Sequence, residues 1–353
     1  MSPRRQTGFV ITTVLIGLVL GLAGAEVVCR LFSLAAPLRP VFGNYVTDPH
    51  LPFRPRPFST DTGHTAEFAY EYQHNRFGFR DVEHELLKPS GTFRVLGLGD
   101  SFTYGAGVKF EETYLAQLQA KLDQQAGGHS TVEVIKAGIS RYFPEAERIL
   151  LEQDGVKFHP DLVLVGILPN DVADTYLGLD AVTPDASGFL RTRESMALGW
   201  FGSLLYRYSH LGRLVLRVYI DRHGQPHYGD MFRDGSFHEK DWVKMESEFA
   251  RMEALADSIG AKLVLIHIPQ RGPWSEENRY LPRRFSAWAA KRGVHFLDVL
   301  PAMEHNPAPR TLYYPKDGHC TPAGYAVIAD TLFKYLVEQG LVPQGRGAHS
   351  PPT

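Results

Sequence analysis

Ser101 stands in Gly99-Asp100-Ser101-Phe102, directly behind the apolar run Phe93-Arg94-Val95-Leu96-Gly97-Leu98. A short β-branched and aliphatic run that ends in Gly-Asp-Ser reads as a strand that stops and turns. Open α/β sheets place their ligands at such carboxyl ends of strands. Beyond the turn, Phe110 to Leu122 has helical spacing, with Tyr114, Leu115, Leu118 and Leu122 on one face. Strand, serine, loop and helix together hold a nucleophile exposed, near a helix N-terminus that favours developing negative charge. Far along the chain, Asp317-Gly318-His319 lies in a loop that feeds a helix from about Pro322 to Val337, with Thr321 as N-cap and Pro322 at its first position. His319 there could take the serine proton, and a nearby carboxylate could fix its tautomer. Between the two lie Gly138, after the strand-like Val132 to Ile135, and Asn170, after the strand-like Leu162 to Ile167. A glycine N–H and an asparagine side-chain amide are suitable donors to an oxyanion.

In this order the four blocks resemble those of the SGNH hydrolases, also called the GDSL esterase superfamily. Gly99-Asp100-Ser101 is similar to the nucleophile block, Lys136-Ala137-Gly138 to the glycine block, Pro169-Asn170-Asp171 to the asparagine block and Asp317-Gly318-His319 to the acid-base block. The likeness spans roughly residues 90–340, apart from a central insertion. Two positions depart from the family pattern. Lys136 stands where Asn is frequent, and Asp317 is two residues before His319 rather than three, with Lys316 at the usual place. Asp-x-His versions resemble the envelope O-acetyltransferase branches. The resemblance implies Ser101 as nucleophile, His319 as general base and Asp317 as its orienting carboxylate. The N–H groups of Ser101 and Gly138 and the side chain of Asn170 then form the oxyanion hole. Asp298, after the strand-like Val294 to Leu297, is the alternative partner for the histidine. No cofactor and no metal are expected.

The elements that must position these residues alternate. Strands are expected near 93–98, 131–136, 161–167, 261–268 and 294–297, and helices near 111–125, 144–154, 241–259, 278–292 and 322–338. This alternation implies a parallel sheet with helices on both faces. With the resemblance, the expected fold class is α/β: a three-layer α/β/α flavodoxin-like sandwich around a parallel sheet of about five strands, preceded by an N-terminal transmembrane helix. Four segments are expected: a signal-anchor over 1–35, an extended lead-in with little regular structure over 36–90, the hydrolase domain over 91–340, and a frayed tail over 341–353. The domain carries an insertion at about 174–240. Within that insertion, Trp200 to Ile220 reads as one amphipathic helix. Leu204, Leu205, Tyr208, Leu211, Leu214, Val215 and Val218 make its apolar stripe, and Arg207, His210, Arg213 and Arg217 its basic face. It could cap the core with that basic face in solvent, lie on a membrane surface, contact an anionic glycan, or wall the cleft. Arg76 and Arg80, in the aromatic stretch Asn75 to Arg80, fit a surface or core-edge role better than substrate binding.

Arg4 and Arg5 precede an uncharged apolar stretch from Gly8 to Ala25, about 18 residues, at the lower edge of a membrane span. The basic flank keeps the N-terminus inside, so a retained anchor makes this a single-pass protein of the cytoplasmic membrane with its catalytic domain on the periplasmic side. Ala23-Gly24-Ala25 resembles a signal-peptidase site, but apolar character continues past Glu26 to Leu34, which favours an uncleaved anchor. A net charge of −2 over 353 residues argues against nucleic acid as a partner. The two cysteines, Cys29 and Cys320, provide no disulfide framework, and Cys320 reads as a small buried thiol.

Other chemistries fit less well. Phe102 stands where a dinucleotide fingerprint needs its third glycine, and no Lys-Ser/Thr pair supports a phosphate loop. His223 with His227, and His319 with Cys320, form no closed metal-ligand set. His267 reads as a core histidine, and Asp100 and Asp171 as turn residues. Three functions stay open: an esterase removing acetyl or similar groups from an envelope glycan or lipid-linked substrate; an O-acyltransferase of exopolysaccharide biosynthesis fed by a membrane protein partner; and a non-catalytic membrane-anchored scaffold.

Overall fold

The computed structural model describes residues 3–32, 34–35, 44–126, 132–184, 190–192, 199–223, 239–272, 274 and 279–343. The expected tail, His227 and the centre of the insertion lie largely outside these residues, as do the side chains of Arg207, Arg217 and His223.

The chain begins with one long helix, α1 (Pro3–Leu31). Gln6–Leu31, 26 residues, is long and apolar enough to cross a membrane, and its most apolar stretch is not buried against the rest of the chain. The lead-in contains more regular structure than its composition suggests. Strands β1 (Tyr45–Val46) and β2 (Arg54–Pro55) pair, and β3 (Thr60–His64) forms an antiparallel hairpin with β4 (Ala69–Gln73). In β4 the side chains alternate exposed and buried, so Tyr70 and Tyr72 face inward while polar neighbours face out. That two-residue period, set among prolines, carries the strand signal.

The five expected strands form one parallel sheet: β5 (Phe93–Leu98), β6 (Val132–Lys136), β7 (Leu162–Ile167), β10 (Lys262–His267) and β11 (His295–Asp298). A small antiparallel pair, β8 (Val182–Pro184) and β9 (Leu190–Thr192), lies in the insertion. Spatial order across the main sheet is β6-β5-β7-β10-β11. Counting only these five, that is the 2-1-3-4-5 order of flavodoxin-like sheets. Burial on both faces explains why β7, Leu-Val-Leu-Val-Gly-Ile, is apolar throughout.

Successive residues feed opposite cores. Val95, Leu164 and Ile266 face the layer of α3 (Tyr114–Gln125) and the C-terminal helix Pro322–Glu338. Leu96, Val165 and Leu265 face the layer of α4 (Pro144–Gln153) and the helices Glu239–Ser258 and Tyr280–Arg292. The lead-in joins that second core through Tyr45, Phe53 and Phe79.

The local structure departs from expectation in four places. The helix expected near 111–125 starts at Tyr114, because Thr113 caps it and Phe110–Glu112 forms a 3-10 turn. Three short helices were not foreseen: α2 (Ser101–Tyr104), α5 (Asn170–Leu177) and Leu300–Glu304. The single helix expected over Trp200–Ile220 is two, α6 (Gly199–Tyr208) and α7 (His210–His223), broken where the Ser209 side chain caps Gly212. Arg213 is not on a solvated face. It is 2% exposed and donates to the Ala35 carbonyl. The hydrogen bonds shown for α7 run to the end of α1 rather than to the cleft.

Candidate active site

Strand order reverses between β5 and β7, and open α/β sheets bind ligands at the carboxyl ends of the strands at such a point. Ser101 opens α2 just past β5, and Asn170 opens α5 just past β7. Asp100 caps α2, its Oδ1 accepting the Phe102 N–H at 2.9 Å. Gly99 makes the turn at φ +148°, and a Cβ there would come within 2.0 Å of Thr103 Oγ1. Gly138 is as constrained, since a Cβ would lie 2.6 Å from the Thr103 backbone carbon. Both positions need glycine because the nucleophile turn packs directly on its neighbours.

His319 arrives from the far end of the chain. Its loop is closed by the Tyr313–Cys320 bridge, by Tyr314 N–H to the His319 carbonyl at 2.9 Å, and by Thr321 capping the C-terminal helix. The imidazole Nε2 is 2.8 Å from Ser101 Oγ, and Nδ1 is 2.5 Å from Asp317 Oδ1. With the Nδ1 proton directed at Asp317, Nε2 is left as acceptor for the serine hydroxyl. Burial works against the charge of Asp317, but the hydrogen bond and charge of His319 outweigh it and hold the carboxyl below its ordinary range. The one-residue shortening of the usual spacing therefore does not separate Asp317 from His319. Asp298 is engaged elsewhere, accepting from His267 Nδ1 at 2.7 Å and from the Leu300 N–H at 3.0 Å. His267 is 1% exposed, and its Nε2 has no partner among the described residues.

Of the three oxyanion donors expected, two are the backbone N–H groups of Ser101 and Gly138. The Ser101 N–H heads a helix and has no intrahelical acceptor by construction. Ala137 and Ile139 donate to Gly97 and Gly99, while the Gly138 N–H between them donates to no backbone carbonyl among the described residues. Asn170 is at the site but turned toward acids: Nδ2 lies 3.3 Å from Asp100 Oδ2 and 3.2 Å from Asp174 Oδ2. Gln270 donates to its Oδ1 at 3.1 Å. Beneath the nucleophile, burial pushes the carboxyls of Asp100, Glu147 and Asp171 above their usual range. Asp171 accepts the Leu168 N–H and shapes the turn behind Asn170. Cys320 is fully buried, and burial pushes its thiol up, so it is no competing nucleophile.

Three residues of the lead-in reach this site. Glu67, at the hairpin tip, accepts the N–H groups of Lys316 and Asp317 at 2.9 and 2.7 Å, and Phe68 packs on Tyr314 at 4.9 Å. Arg80, 3% exposed, donates to the carbonyls of Gly105 and Val108 at 2.6 and 2.8 Å and lies over the Tyr70 ring at 4.7 Å. Arg80 is thus a buried clamp on the loop after the nucleophile, consistent with a core-edge role. Lys136, where the family pattern often has Asn, pairs with buried Asp81 at 2.8 Å and fastens the lead-in to β6. Nothing in the local sequence marks Glu67, since a Glu beside Phe in a polar turn is usually just solvated. Among the described residues no group of three or more His, Cys, Asp or Glu side chains is arranged to hold a metal ion.

The model of the GDSL-like lipase/acylhydrolase family matches residues 98–327. No curated protein matches the chain. Among solved structures, a catalytic mutant of an acetylxylan esterase from Geobacillus stearothermophilus is 15% identical, over 71% of this chain and 96% of that one, with a TM-score of 0.44. A lipase/acylhydrolase from Enterococcus faecalis is 13% identical, over 72% and 100%, at 0.43. A member of the lipolytic G-D-S-L family from Veillonella parvula is 11% identical, over 70% and 97%, at 0.41.

Proposed function

The chain belongs to the GDSL-like lipase/acylhydrolase family, and from that premise we propose that it is a serine esterase working through an acyl-Ser101 intermediate. The observation that carries this reading is the continuous relay Ser101 Oγ–His319 Nε2–Asp317, at 2.8 and 2.5 Å. His319 Nε2 takes the hydroxyl proton as Oγ attacks the ester carbonyl, and the N–H groups of Ser101 and Gly138 receive the developing oxyanion. Asn170 joins them by exchanging one of its carboxylate contacts for the substrate oxygen. Asp317 stays ionised and stabilises the imidazolium that forms. His319 then protonates the leaving alcohol, and water activated by the same imidazole releases the acid and frees Ser101.

The substrate class we propose is an O-acyl ester, acetyl in the first instance, on an envelope glycan or a lipid-linked acceptor. The apolar Gln6–Leu31 helix and the basic Arg4-Arg5 flank support a single-pass anchor in the cytoplasmic membrane with the catalytic domain on its outer side. The test is hydrolysis of a short-chain aryl acetate by the detergent-solubilised full chain beside its Ser101→Ala variant. Loss of turnover with the serine, and a mass increment of one acetyl on Ser101 in quenched wild-type reactions, is the expected result. Equal rates for the two proteins would overturn the assignment. Acetyl label appearing in glycan rather than as free acetate would replace hydrolysis by transfer.

A further inference from the structure

Between Arg5 and Glu26 the N-terminal helix carries no charged residue. The first charge, Glu26, is spent on another element. Its carboxylate accepts Ser209 Oγ at 2.8 Å and the N–H groups of His210 and Leu211 at 3.0 and 2.9 Å, so it caps the N-terminus of α7. One turn later Arg30 binds Glu26 through Nε and donates through Nη2 to the Tyr208 carbonyl at the end of α6, at 2.8 Å. His210 Nδ1 lies 3.2 Å from the Leu34 carbonyl, and buried Arg213 donates to that of Ala35. The corner between α6 and α7 is therefore latched to the last turn of α1 by contacts from both sides.

That latch holds the Tyr208 end of α6 beside the last turn of α1. The apolar stretch of α1 before Glu26 matches the thickness of a bilayer core, so the Glu26–Arg30 turn falls at the boundary where hydrocarbon gives way to headgroups. Held by its Tyr208 end, α6 presents Trp200, Phe201 and Leu204, which are 81%, 57% and 49% exposed. Leu204 lies three residues from Phe201 and four from Trp200, on their side of the helix, and the Trp200 and Phe201 rings lie 5.7 Å apart. Single exposed apolar residues are ordinary, but an aromatic cluster on so short a helix is not. Trp is also the residue type that favours the membrane–water interface. Val215 and Val218 extend the apolar surface onto α7 at 59% and 45% exposed.

We propose that α6 lies in the interfacial layer of the bilayer that α1 crosses, with Trp200, Phe201 and Leu204 inserted among the lipids, so that the insertion is a second membrane contact held at fixed depth by Glu26. This rests on α1 being a retained anchor. A signal segment cut after Ala25 would leave Glu26 as the first residue of the mature chain.

The experiment uses the full chain reconstituted in phosphatidylcholine–phosphatidylglycerol vesicles, with and without lipids brominated near the headgroup. Tryptophan fluorescence is compared between wild type, Trp200→Phe and Glu26→Ala. The other three tryptophans, Trp242, Trp274 and Trp288, are common to all samples. Quenching at least halved by Trp200→Phe, and reduced in Glu26→Ala with the protein still membrane-bound, is expected. Quenching unchanged by Trp200→Phe overturns the proposal. So does a photoreactive residue at position 200 that crosslinks in native membranes to a protein rather than to lipid. Carbonate extraction and the intact mass separate the two levels. Release from the membrane, or a mass starting at Glu26, defeats the anchor reading, whereas an anchored, full-mass protein with unquenched Trp200 defeats only this one.

Discussion

The Glu67 carboxylate accepts the backbone N–H of Asp317 at 2.7 Å, across 250 positions of sequence. A segment that precedes the family domain thereby holds the turn that presents the acid-base pair. Glu67→Ala should lower kcat on an aryl acetate about tenfold, the worth of one charge-assisted hydrogen bond, with KM little changed. Glu67→Gln keeps an acceptor oxygen and should recover most of the loss. A change confined to KM would show that the hairpin meets substrate instead.

Asp317 and Asp298 separate by function. Asp317→Asn should reduce kcat by up to about 10⁴-fold, because the amide favours the wrong imidazole tautomer. Asp298→Asn disturbs only His267 and the Leu300 turn, and should leave kcat within a few-fold of wild type while lowering the melting temperature. Single-turnover measurements of both variants decide the assignment.

Asn170 makes a distinct prediction, because its amide nitrogen lies against Asp100 and Asp174. If it turns to the oxyanion, Asn170→Ala should cost about 10²–10³ in kcat with little change in KM. A loss below tenfold would leave the hole to the two backbone donors.

Arg80→Ala should destabilise the fold by about 3 kcal/mol, since it leaves buried carbonyls without donors. At about 2–4 °C per kcal/mol, the melting temperature should fall by roughly 6–12 °C. Arg80→Lys should restore little, because one ammonium cannot reach the spread of carbonyls that a planar fork serves. Thermal unfolding of the three proteins checks this.

The network of Asp81, His84, Glu133 and Arg94 ties the lead-in to the sheet edge and carries a pH signature. Burial alone would lower the pKa of His84, but its hydrogen bonds to Asp81 and Glu133 raise it above 6.5. Burial opposes ionisation of Asp81 and Glu133, yet their cationic partners hold both below their ordinary 3.8 and 4.5. The histidine's contribution is complete below 6.5 and fades as pH rises through its folded value. The carboxylates contribute above 4.5, and that is lost as pH falls through theirs. Stability from this network should therefore peak between about 4.5 and 6.5. His84→Ala should remove the decline on the alkaline side, read by denaturant midpoints across pH.

The parallel sheet, its flanking helices and the Gly-Asp-Ser turn were legible from the chain alone, because each rests on short-range physics. Continuous apolar runs mark strands buried on both faces, and helical spacing marks α3 and the C-terminal helix. Asp317 and His319 are two residues apart, so their pairing needed only a tight loop. Boundaries failed where a single side chain decided them, as with Thr113 starting α3 and Ser209 dividing α6 from α7. The reversal of strand order that sets Ser101 beside Asn170, and the reach of Glu67, Arg80 and Glu26, belong to tertiary structure. Each is a polar side chain whose partner lies far along the chain, and a polar residue met in sequence is by default solvated. Only closure of the chain around the sheet brings a particular carbonyl or N–H within 3 Å of it, and so turns a surface residue into part of the site or of the contact with α1.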